Sequence, residues 1–137
     1  MPGKIFLDTN ILTYAQDADA PDKQRRSRQV IGELAQSADG VISTQVMQEF
    51  FVTATRKLGM PPLAAKAVLK TFALFEVVQV SPALIHDAVD CSILNELPFW
   101  DSLILAAAAA AGCATVYSED LNAGQTILGV TVQNPLA

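Results

Sequence analysis

The sequence predicts an α/β domain built on a parallel sheet with helices on both faces. Short runs at 4–9 (KIFLDT), 41–43 (VIS), 77–80 (VVQV), 114–118 (ATVYS) and 130–132 (VTV) have the length and β-branched content of buried strands. Longer segments with helical patterning separate most of them, and strands joined through helices run parallel. Apolar residues make up 51% of the 137, enough to fill one core.

Each element has a local cause. The first strand ends in polar residues, and Asn10 to Gln16 reads as a brief helix. Asp22 to Ala38 reads as a longer one, with Val30, Ile31 and Leu34 on one apolar stripe. Gly40 precedes the second strand. Ser43 or Thr44 then caps a helix from Gln45 to Leu58, stopped by Gly59. Pro61 and Pro62 open a helix to about Phe75. After the third strand, Ser81-Pro82 is a cap followed by proline at the first helical position, and that helix runs to about Leu97. Asp101 to Gly112 is a helix whose six consecutive alanines let it lie close against a sheet or a neighbouring helix. No linker or repeat interrupts the chain, so one domain over 1–137 is expected.

Composition narrows the function. No apolar run reaches the roughly 18 residues of a membrane span, and MPGKIFLDTN lacks the long apolar stretch of a secretory signal. Cys91 and Cys113 form no CxxC pair and have no histidine set nearby, so they read as reduced core residues of a cytoplasmic protein. Net charge is −5, but all nine Lys and Arg lie at or before Lys70. Residues 71–137 carry seven acidic groups and no basic one. That asymmetry suggests two unlike faces, or an acidic one neutralised by an outside cation.

In an open α/β sheet the ligand site lies beyond the carboxyl ends of the strands. Asp8 ends the first strand and Asp120 lies just past the fourth. Asp101 opens the alanine helix, and Glu49 stands one turn into the helix after strand two. Singly, each has a structural explanation as a turn, cap or surface residue. Four carboxylates on one edge repel each other, and burial makes each charge costly. A divalent cation relieves both, and all-oxygen ligands suit Mg²⁺ or Mn²⁺ rather than zinc. Such an ion can bind a phosphodiester oxygen and activate water. The single histidine, His86, is far from this edge, and no Ser-His or Cys-His pair is evident.

The pieces FLDTNIL (6–12), VMQEFF (46–51), FWDSLILAAA (99–108) and YSEDLNAGQ (117–125) resemble, in order and spacing, the PIN-domain ribonucleases. The resemblance is strongest to the VapC-type toxins of bacterial toxin–antitoxin pairs. It covers nearly the whole chain. It implies a three-layer PIN-like fold with a five-stranded parallel sheet of order 3-2-1-4-5. It implies Mg²⁺- or Mn²⁺-dependent endonucleolytic cleavage of RNA, an antitoxin partner of the VapB type and a homodimer. Carried over by position, Asp8, Glu49, Asp101 and Asp120 are the acidic quartet that holds the metal, with Asn10 and Ser118 as accessory polar positions. Adjacent side chains in extended backbone point opposite ways, so only one of Glu119 and Asp120 faces the metal directly. The family pattern favours Asp120, with Glu119 acting through water or simply solvated. Apolar residues of the helices at 45–58 and 61–75, such as Phe51 and Leu63, are candidates for the dimer interface.

Other readings compete. A receiver domain needs a late lysine, and none follows Lys70. A haloacid-dehalogenase-type phosphatase needs Asp-x-Asp, whereas strand one ends Asp8-Thr9-Asn10. A PIN-like domain that binds metal, RNA or a partner without cutting is the remaining alternative. His86 and Asp90 have a chelating spacing on one helix but no third ligand, so a surface role is favoured. Phe99 and Trp100 have the chemistry to stack on a base, but core packing that orients Asp101 is the expected role. Lys23, Arg25, Arg26 and Arg28 form a basic cluster that either contacts RNA backbone or is a solvated face. Arg56 and Lys57 complement a helix C-terminus.

Overall fold

The structure, a computed structural model, describes residues 3–137. Strand β1 (Ile5–Leu7) is buried along its whole length and leads directly into helix α1 (Thr9–Tyr14). Helix α2 (Pro21–Ser37) begins on a proline and ends at Ala38 in a left-handed conformation. Strand β2 (Gly40–Ser43) feeds α3 (Thr44–Arg56), and it is Ser43 that caps the helix, its hydroxyl accepting from the Val46 N–H at 3.3 Å. Helix α4 (Pro62–Thr71) passes into a 3-10 turn at Phe72–Leu74, so the helix expected to reach Phe75 tightens before its end. Strand β3 (Glu76–Val78), α5 (Pro82–Asn95), α6 (Phe99–Ala110) and β4 (Thr115–Tyr117) follow. The last two strands are β5 (Thr126–Ile127) and β6 (Val130–Gln133).

The sheet order is β3-β2-β1-β4-β6-β5. The pairs among β3, β2, β1, β4 and β6 are all parallel, which is the order the sequence resemblance implies. The sheet has six strands rather than five because β5 adds an antiparallel edge to β6. Leu128 and Gly129 between them have φ of 56° and 76°, the paired positive values of a tight hairpin turn. The signal was weak, because leucine stands where such turns usually carry asparagine or aspartate.

Helix α6 packs against β2, β4 and β6, and its Leu103 to Ala108 are all buried. Small side chains there let the helix sit close to the sheet. Helices α2 and α3 contact β2. The core is continuous, with Phe6, Phe50, Ile42 and Val116 fully enclosed. Gly40 is required by close approach, since a Cβ there would stand 2.5 Å from the Phe75 ring. Both cysteines are free and buried. Among the described residues no single helix is long and apolar enough to cross a membrane. Helices α5 and α6 reach that composition only as a pair bent by 118°.

Between β1 and β4 the order of connections reverses. That makes their carboxyl ends the switch point, where a crevice opens beyond the sheet.

An acidic cleft at the switch point

Strand β1 delivers Asp8 into this crevice. Its carboxylate accepts from the Thr9 N–H at 2.7 Å, which makes it the cap of α1, and from the Ser118 hydroxyl at 2.8 Å. The Asn10 amide donates to Asp8 Oδ2 and to Asp120 Oδ2, both at 3.2 Å, so one side chain spans the two carboxylates. Ser118 follows β4 and also organises the Asp120 loop, its oxygen accepting from the N–H groups of Asp120 and Leu121 at 3.1 Å. Asn10 Oδ1 accepts from the Glu119 N–H at 3.0 Å. Asn10 and Ser118 thus tie the ends of β1 and β4 together.

Glu49 enters from α3. Thr9 Oγ1 donates to one of its oxygens at 2.7 Å, and Gln45 Nε2 approaches the other at 3.4 Å. The same Gln45 amide donates to the Trp100 carbonyl at 3.2 Å, which links α3 to the first turn of α6. Asp101 lies in that turn, where the helix dipole favours a carboxylate. Thr9 and Gln45 were missed in the sequence, although Gln45 stands four residues before Glu49 on the same helix face.

The four carboxylates, Asp8, Glu49, Asp101 and Asp120, line a single cleft of about 700 Å³. Among the described residues, none of the four forms an ion pair with Lys or Arg. Burial raises the Asp8 carboxyl from 3.8 to about 6; hydrogen bonds from Ser118 and Thr9 oppose the shift, and the charges of Glu49 and Asp120 add to it. Asp101 is also raised, first by burial and then by Asp120 and Glu49. Among the described residues, the four carboxylates thus share one cleft without an ion-paired cation.

Hard oxygen donors without a cationic partner match the chemistry of Mg²⁺ or Mn²⁺. The spacing is open, however. Among the described residues no three His, Cys, Asp or Glu side chains stand close enough to enclose an ion as they are placed. His86 and Asp90 are both exposed on α5 and also belong to no such group.

Glu119 turns away from the cleft. Its oxygens accept from Tyr14 Oη at 2.7 Å and pair with Lys23 Nζ at 2.8 Å. Burial would raise its carboxyl, but the Lys23 and Tyr14 hydrogen bonds outweigh that and hold it low. Asp120 is the one of the two neighbours that lines the cleft.

The basic cluster of α2 lies outside the cleft lining. Lys23 is taken by Glu119, and Arg25 pairs with Asp22 at 3.2 Å in an exposed contact. Arg28 donates to the Ala15 carbonyl at 2.8 Å, and Arg26 to the carbonyls of Pro135 and Ala137. The cation in the cleft wall is Lys57, at the end of α3. Trp100 differs from expectation. Rather than packing into the core, its side chain is 63% exposed and lines the cleft beside Asp101. The first turn of α6 directs it outward, while Ser102 and Leu103 take the buried positions.

A parallel sheet with carboxylates gathered at its switch point defines an α/β domain with an acidic site. The PIN domain family model matches residues 5–126, and the chain belongs to that family. No curated protein matches it in sequence. Among solved structures it is similar to VapC20 of Mycobacterium tuberculosis, a sarcin-ricin-loop-cleaving toxin. That match has 21% identity and a TM-score of 0.65, covering 85% of this chain and 90% of that one. A toxin–antitoxin complex from Klebsiella pneumoniae matches at 20% identity and TM-score 0.69, over 96% and 98% of the two chains. VapBC2 of Rickettsia felis, bound to a DNA fragment from its promoter, matches at 19% and 0.70, over 95% and 97%. At these identities the likeness is one of fold.

Proposed function

We propose that this chain is a Mg²⁺- or Mn²⁺-dependent endoribonuclease, the toxin of a toxin–antitoxin pair. The observation that carries the reading is the convergence of Asp8, Glu49, Asp101 and Asp120, distant in sequence, on one cleft without a paired cation. When bound there, a divalent ion supplies charge to a phosphodiester oxygen and lowers the pKa of its water. The chain's own groups prepare the place. Thr9 and Gln45 hold both oxygens of Glu49, and Ser118 and Asn10 fix Asp8 relative to Asp120. Lys57 adds a positive wall for the RNA backbone. The three toxin and toxin–antitoxin folds support an antitoxin partner of the VapB type, which would cover the acidic cleft. A homodimer is part of the same reading. Phe51, half-buried in an apolar groove between α3 and α4, and Leu63, exposed on α4, are its candidate contacts.

Incubation of purified protein with RNA and Mn²⁺, with and without chelator, tests the activity. Cleavage that chelator stops and that Asp8→Asn abolishes, with far-UV circular dichroism unchanged, is the expected result. Undiminished cleavage by Asp8→Asn overturns the site. RNA that binds but is never cut would favour the non-catalytic PIN-like reading, with which the open spacing of the carboxylates is also consistent.

A further inference from the structure

We propose that Trp100 is a stacking platform for a base of the bound RNA, next to the acidic site. The inference rests on the ribonuclease reading and deepens it. Several large apolar side chains are exposed elsewhere, such as Leu63 and Leu94, but those do not line the acidic cleft. Trp100 does, directly before Asp101 in the chain. Its backbone is held by the Gln45 hydrogen bond at 3.2 Å. Its ring meets Phe99 edge to face, with centroids 5.1 Å apart and planes at 76°, an arrangement that leaves at least one indole face uncovered by Phe99. Val52, 49% exposed, and Lys57 line the same cleft, so an apolar wall and a cation accompany the indole. This is the grouping that binds single strands, with a flat aromatic for the base and a cation for the backbone. A paired base keeps its faces inside the helix stack, so only an unpaired one reaches the ring. A protein partner could also cover an exposed tryptophan. The cleft position, shared with carboxylates and Lys57, favours a nucleotide.

Trp100 is the only tryptophan in the chain, so its fluorescence reports on this position alone. The wild-type protein is titrated in chelator with a short unpaired RNA oligonucleotide, and binding is followed in parallel by anisotropy of a labelled copy. Quenching that saturates at the anisotropy Kd is expected, with a duplex of the same sequence much weaker. Trp100→Ala should raise Kd roughly tenfold or more, with Trp100→Phe between the two. Binding without quenching, or equal affinity of Trp100→Ala, overturns the platform and assigns the indole to a protein contact. Where RNA is cut in Mn²⁺ without measurable binding in chelator, KM for cleavage decides in place of Kd, and an unchanged KM for Trp100→Ala overturns the platform. Failure both to bind and to cut brings down the ribonuclease reading, and the platform with it.

Discussion

Asp8 concentrates the cost of the site in one residue. Its carboxyl, normally near 3.8, sits at about 6 because the folded chain buries it. The folded state therefore holds that proton more tightly than the unfolded one. Below about pH 4 both states are protonated and the group is neutral to stability. As pH rises to about 6 the unfolded chain ionises freely while the folded one resists, so stability is lost over that window and stays lost above it. The difference is worth at most about 3 kcal/mol. Asp8→Asn should therefore melt higher than wild type at pH 8 in chelator, by several degrees, and the gap should close by pH 4. Calorimetry of the two proteins across that range measures it. A variant less stable than wild type at pH 8 would mean that the hydrogen bonds from Thr9 and Ser118 outweigh the burial cost. That Asp8, Glu49, Asp101 and Asp120 share one edge of the sheet was legible because carboxylates near strand ends and helix starts are conspicuous against an apolar chain. Thr9 and Gln45, which orient Glu49, were not, because a hydroxyl and an amide carry no comparable signal until the fold brings them within reach.

Elements were legible where periodicity and caps agreed. Ser81-Pro82 and Ser43 mark the starts of α5 and α3, and their hydroxyls do accept from Leu84 and Val46. The edge strand β5 escaped notice because it has only two residues, too few to show alternation. Trp100 was misplaced for a related reason. Apolar content predicts burial on average, but Trp100 falls on the outward side of the first turn of α6, with Ser102 and Leu103 on the buried side. Two helix ends also violate local preference, since Ala38 closes α2 and Glu96 closes α5 in the left-handed region. Ala38 closes α2 with φ of 61°, the left-handed region where a Cβ costs roughly 1 kcal/mol and glycine is usual. The residue is exposed. Ala38→Gly is expected to stabilise the protein by about 0.5–1 kcal/mol despite the greater freedom of the unfolded chain. Chemical denaturation would show this as a higher midpoint at unchanged m, and a lower midpoint would place the strain elsewhere.

At the scale of the whole molecule, the net charge of −5 works against RNA binding, so the location of the cations decides how binding responds to salt. Residues 71–137 contribute only acidic groups, and the basic residues of α2 lie outside the cleft. Lys23 is neutralised by Glu119, whereas Arg26 and Arg28 donate to carbonyls and keep their charge. Two footprints are then distinguishable. If the strand follows the cleft, Lys57 makes about one phosphate contact, and single-strand affinity falls with a log–log slope near −0.7 per contact. Raising monovalent salt from 50 to 200 mM in chelator would then weaken binding by less than about fivefold. If the strand also crosses α2 and engages Arg25, Arg26 and Arg28, about four contacts are broken, and the same change weakens binding by about fiftyfold. The cleft-centred footprint predicts the shallow slope, and a further flattening when Lys57→Met removes its cation. A steep slope that Arg26→Met and Arg28→Met reduce would instead move the RNA path onto α2.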